Sequence, residues 1–111
     1  VAASNYLVAT EDLAARLARA AGIDPREALR ALLPLVRGTV RNLERVGLPG
    51  ALTGPVARGD AETVRMHRRA LREADPALDA LYAALGRHAL RMAVERGLPA
   101  SRARATARAL R

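Results

Sequence analysis

The chain has 111 residues and a formal net charge of +8; half of its residues are hydrophobic, yet only Tyr6 and Tyr82 are aromatic. It has no cysteine, which excludes disulfides and thiolate metal sites, and no apolar run approaches the ~20 residues that a membrane span needs. A core made of Leu, Val and Ala favours helices, because Ala, Leu and Arg are strong helix formers and β-branched residues are few.

From Ala2 to Ala21 the chain reads as a helix, with Leu13 and Leu17 one turn apart and Gly22 as its stop. Asp24-Pro25-Arg26-Glu27 then starts a second helix: Asp24 caps, Pro25 takes the first position, and Glu27 completes a capping box. Leu29, Leu32, Leu33, Val36, Val40 and Leu43 continue it at helical spacing. Pro34 removes the bond to the carbonyl of Arg30, so a kink or a break is expected there. Gly47 ends this element. Residues 47–60 hold four glycines and two prolines, which argues against a regular helix and for a functional loop. Asp60 caps a helix from Ala61 to about Glu73 with Val64, His67 and Leu71 inward. Asp75-Pro76 starts another, burying Leu78, Leu81, Tyr82, Leu85, Ala89 and Met92 and ending at Gly97. A last helix from about Ser101 carries Arg104, Arg108 and Arg111 on one face and Ala103, Ala107 and Leu110 on another. No stretch alternates long enough to read as a strand. The expected fold is all-α, one domain over residues 1–111, an antiparallel bundle of about five helices.

All 19 basic residues are arginine. A nucleic-acid surface normally uses both cations, whereas a GC-rich genome replaces lysine throughout, so the charge is not read as a nucleic-acid footprint. There is no Gly-rich nucleotide fingerprint, no His-x-x-x-His pair for a metal and no Ser–His–acid arrangement. What remains is polar residues in unusual places. Asn5 precedes the apolar part of the first helix, Thr39 and Asn42 lie three apart on the second, and His67 stands among inward apolar residues. Each also has a plain structural reading: a core or boundary histidine, exposed side chains, Asp60 as a simple cap. Gly54-Pro55 and Arg58-Gly59-Asp60 place N–H groups and one guanidinium before a helix, which suits either an anion or a tight crossover between helices.

The stretch Ala51-Leu52-Thr53-Gly54-Pro55-Val56-Ala57-Arg58-Gly59-Asp60, followed by Thr63-Val64 and His67, resembles a helical C-terminal domain of unknown function. In that family the domain follows a Rossmann-like NAD(P)-binding domain in bacterial oxidoreductases. Ala3-Ser4-Asn5-Tyr6-Leu7-Val8 resembles its start, and Leu33-Pro34-Leu35 with Thr39 and Asn42 its second helix. The resemblance runs from Val1 to about Leu85. It implies a fold similar to the C-terminal domain of 6-phosphogluconate dehydrogenase, acting as a substrate-binding and dimerisation domain. It also implies that Asn5, Thr39, Asn42, Thr53, Gly54, Pro55, Arg58 and Asp60 face substrate and cofactor. His67 would be the catalytic proton donor, and Arg58 would hold a carboxylate.

NAD(P) would be bound mainly by the preceding domain. This chain alone is expected to bind no cofactor or metal and to be inactive. Its expected partners are a second copy, through Leu90 and Val94 beside Ala83 and Gly86, and the Rossmann-like domain of the same polypeptide. No membrane is expected, and nucleic acid is disfavoured. The first ten residues lack the basic start of a signal peptide, so a cytoplasmic location is expected. The alternative is an arginine-rich helical module that binds nucleic acid or protein.

Overall fold

A computed structural model describes residues 1–111. The fold is all-α, with six helices and no strand: α1 (Asn5–Ala20), α2 (Pro25–Val46), α3 (Gly54–Arg58), α4 (Ala61–Ala74), α5 (Pro76–Glu95) and α6 (Ala100–Ala109). The chain divides into two compact units, Val1–Asn42 and Leu43–Arg111. No helix is long and apolar enough to cross a membrane.

The helix starts follow side-chain capping. Asp24 accepts from the Arg26 N–H at 2.9 Å, Asp60 from the Thr63 N–H at 3.1 Å and Asp75 from the Ala77 N–H at 2.9 Å. Glu27 makes no return bond, so the capping box expected at α2 is half formed. Asp60 has a different second bond: the Thr63 hydroxyl donates to its other oxygen at 2.7 Å. Pro34 does not break α2, which is one helix across it. Pro34 and Arg30 are both exposed, so the carbonyl that loses its donor stays open to solvent.

In the unit Val1–Asn42, Leu13 and Ala28 are buried, while Tyr6, Leu7, Val8, Leu29, Leu33 and Leu35 are exposed. Its two helices make no extensive packing with each other. In the unit Leu43–Arg111, α3, α4, α5 and α6 pack on one another. Their shared core joins Val56, Val64, Leu90, Ala109 and Leu110, with Tyr82, Leu98 and Ala103 packed at its edge.

Two expectations about this core are corrected. The glycine-rich segment does contain a helix, α3. Its breakers stand at the ends: Gly54 and Pro55 open it, and Gly59, at φ 68°, closes it by donating to the Val56 carbonyl at 3.1 Å. The buried face of α5 is Asp79, Ala83, Gly86, Leu90 and Ala93. Leu81 and Leu85, expected inside, are exposed, and Leu78, Tyr82, Ala89 and Met92 are half-buried. At Gly86 the missing side chain lets α6 come close: a Cβ there would stand 2.5 Å from a methyl of Leu110. Of the residues expected to meet a second copy, Ala83, Gly86 and Leu90 are buried and Val94 is exposed.

Candidate functional site

Position α4 carries the centre of the site. Val64 and Leu71 are fully withdrawn from solvent, as their spacing predicts. The third member of that stripe is Arg68, not His67. Residues 67 and 68 are three and four positions past Val64, so either satisfies the helical period. Asp79 decides between them. Arg68 donates to its two oxygens from Nε at 2.7 Å and Nη2 at 2.8 Å, and from Nη1 to the Ala109 carbonyl at 3.0 Å. Arg72 adds a bond to Asp79 at 2.9 Å. The Arg68 bonds hold the Asp79 carboxyl below the usual carboxylate range against the opposing pull of burial, with Arg72 assisting. The same pairing raises Arg68. This buried forked pair ties α4, α5 and the end of α6 together.

His67 is therefore exposed, one step around α4 from the core. Its Nδ1 lies 3.0 Å from the Tyr82 hydroxyl, and the two rings meet edge to face at 6.0 Å and 84°. Burial raises the Tyr82 phenol above its ordinary value, so its O–H stays protonated. Either group can donate in this contact, depending on which ring nitrogen of His67 carries the proton. Arg58 and Asp60 lie within electrostatic reach. The Thr63 hydroxyl and N–H lower the Asp60 carboxyl most, and the charges of Arg58 and His67 lower it further. Arg58, Asp60, His67 and Tyr82 thus form one polar group on the unit Leu43–Arg111.

The other expected site residues separate by unit. Thr53, which is exposed, Gly54 and Pro55 start α3 in this unit. Thr53 is its N-cap without a side-chain bond, and five residues are too few to build a helix dipole worth an anion site. The N-terminus of α4 is no freer for an anion, since the Asp60 carboxylate already occupies it. Asn5, Thr39 and Asn42 belong to the unit Val1–Asn42. The Asn5 side-chain oxygen accepts from Ser4 at 3.3 Å, and Thr39 donates back to the Leu35 carbonyl at 3.1 Å.

Sequence reasoning missed Arg68, Asp79 and the role of Tyr82. The available signal was an arginine inside one apolar stripe and an acid inside a stripe of small residues, eleven positions apart on successive helices. Two arginines of the C-terminal stretch also grip backbone. Arg96 donates to the Leu52 carbonyl, and Arg102 to the Arg58 carbonyl at 3.2 Å.

The chain matches the family model described as Domain of unknown function (DUF2520) over residues 1–89. No curated protein and no solved structure matches it. The match covers α1 to most of α5, including the Arg58–Asp60–His67–Tyr82 group, and leaves α6 outside it. The chain is a member of this family, the domain of unknown function DUF2520.

Proposed function

We propose that this chain is the substrate-binding and dimerisation domain of a cytoplasmic NAD(P)-dependent oxidoreductase, with a fold like the C-terminal domain of 6-phosphogluconate dehydrogenase. It works beside a Rossmann-like domain of the same polypeptide, which holds most of the cofactor. The carrying observation is the polar group in which half-buried Tyr82 contacts exposed His67, with Arg58 and Asp60 at its side. A reductase acting on a carbonyl or imine needs a positioned proton donor and a cationic clamp. His67 Nε2 is the donor and Arg58 the clamp for a substrate carboxylate. Bound NAD(P)H supplies the hydride. Protonation of the substrate oxygen or nitrogen by the His67 imidazolium, which becomes neutral imidazole, completes the reduction, and the Tyr82 hydroxyl, accepting from Nδ1, orients the ring. The exposed apolar side chains of α1 and α2 support the dimerisation part, because a soluble monomer rarely leaves so many uncovered.

The test begins with the reading frame upstream of Val1, which should encode a Gly-x-Gly-x-x-Gly turn between a strand and a helix. The encoded protein should quench NADPH fluorescence on binding and oxidise NADPH with a panel of keto acids and cyclic imines. His67→Ala should lower that turnover about 10²–10⁴-fold with unchanged circular dichroism and NADPH affinity. A polypeptide that does not bind NAD(P)H refutes the oxidoreductase reading. A fully active His67→Ala variant refutes the assignment of His67 alone.

A further inference from the structure

α5 and α6 line an open groove of about 710 Å³ that lies, apart from Arg87, beyond the matched segment. Its floor is apolar: Leu90 and Val94 from α5, Ala103 and Ala107 from α6. Val94 is half exposed, and the two alanines are half-buried. Its rim is cationic, formed by Arg87, Arg91, Arg104 and Arg111, against a single acid, Glu95. None of these four arginines pairs with a carboxylate. Arg87 is fixed from behind, donating to the Leu110 carbonyl at 3.1 Å, and Arg91 lies 3.0 Å from His88 Nδ1.

We infer that this groove docks an acidic amphipathic helix of a partner protein. The two walls run about eight residues each, roughly 12 Å, so the groove accommodates two to three turns of a third helix. Small residues at Ala103 and Ala107, one turn apart, let that helix approach closely. Unpaired arginines along an apolar trough select Glu and Asp on the flanks of the incoming stripe. A second copy of this chain is a poor occupant, because its helices would bring arginine against arginine. Nucleic acid would leave the apolar floor uncovered. The inference stands apart from the proposed reductase role, since the groove involves neither His67 nor Arg58.

The 111-residue chain is titrated, by fluorescence anisotropy and amide NMR, with a labelled synthetic helix of 18 residues bearing a Leu/Ala stripe flanked by glutamates. Micromolar binding is expected, with shifts confined to α5 and α6. The same peptide with lysine for glutamate should bind at least tenfold more weakly. Val94→Asp should weaken the acidic peptide at least tenfold, and so should Arg91→Glu with Arg104→Glu. All three positions tested lie on the surface, and the double variant decides if Val94→Asp alone does not fold. Equal affinity for the two peptides, or full affinity in the double variant, overturns the inference. So does displacement of the peptide from the same resonances by a DNA duplex or by dodecanoate.

Discussion

In residues 43–111, Val64, Leu71 and Leu110 are completely withdrawn from solvent. In residues 1–42, Leu29, Leu33 and Val40 follow the same helical spacing, yet they keep between 37% and 46% of their surface. Both regions have clean amphipathic stripes. The difference is what meets the stripe. The second region has glycines at points of close approach and a buried ion pair that joins three helices. The first has two long helices that do not pack extensively together. A stripe of leucines therefore specifies a helix and a sticky face; closure needs a neighbour within reach.

The sharpest way to break this contrast is to remove the ion pair. Asp79→Ala leaves the Arg68 guanidinium buried without its partner, and should cost about 3–5 kcal/mol in urea unfolding. Arg68→Met together with Asp79→Leu should cost less than either change alone, because no buried charge remains. Acid should act like the single variant. The folded carboxyl titrates below its unfolded value, so its contribution is complete above the usual carboxylate range. It is lost as the pH falls through the lowered folded value. Stability that does not change with acidification would show that Asp79 contributes little.

A pair of leucines measures the contrast directly. Leu71→Ala should destabilise by about 2–5 kcal/mol, as expected of a fully buried position. Leu35→Ala, at 68% exposed, should stay within about 0.5 kcal/mol. Leu35→Asp should nevertheless shift sedimentation toward monomer if the apolar surface of the first region is the dimer face. A urea midpoint for Leu35→Ala as low as that of Leu71→Ala would erase the distinction between the regions.

Much of this was legible from local chemistry. Asp24-Pro25, Asp60 and Asp75-Pro76 announce helix starts through side-chain oxygens that satisfy orphan N–H groups, and all three do so. Val64 and Leu71 were readable as core. The face of α5 was not, because periodicity favours large residues and ignores what packs opposite. Gly86 is inside since Leu110 of α6 needs its smallness, and that is a property of the pair. His67 illustrates the same limit: periods of three and four cannot separate it from Arg68, and the choice depends on Asp79 in another helix. The proximity of Arg58, Asp60 and His67 was legible, since all three flank one helix start within ten residues. Tyr82 lies on the next helix and was not.

Gly86→Ala tests the close approach. The added Cβ would stand 2.5 Å from a methyl of Leu110, which is itself fully buried and has nowhere to retreat. Overpacking should cost about 1–3 kcal/mol despite the better helix propensity of alanine. An increase in stability would mean that α6 docks more loosely than described.

The smallest expected effect concerns the one imperfection in the closed region. Thr106 on α6 is fully buried, and its hydroxyl has no hydrogen-bond partner. A buried hydroxyl that gives up water without replacement costs stability, whereas a methyl of similar size at that place does not. Thr106→Val keeps the shape and the β-branching, so helix propensity barely changes. The variant should gain up to about 1 kcal/mol, seen as a rise of a few degrees in Tm. Thr106→Ser is the necessary companion. It keeps the hydroxyl and loses the methyl, and should fall by about 1 kcal/mol through the small cavity it leaves. A valine variant less stable than the wild type would show that the hydroxyl is satisfied in solution. The docking of α6 would then depend on a polar bond as well as on Leu110.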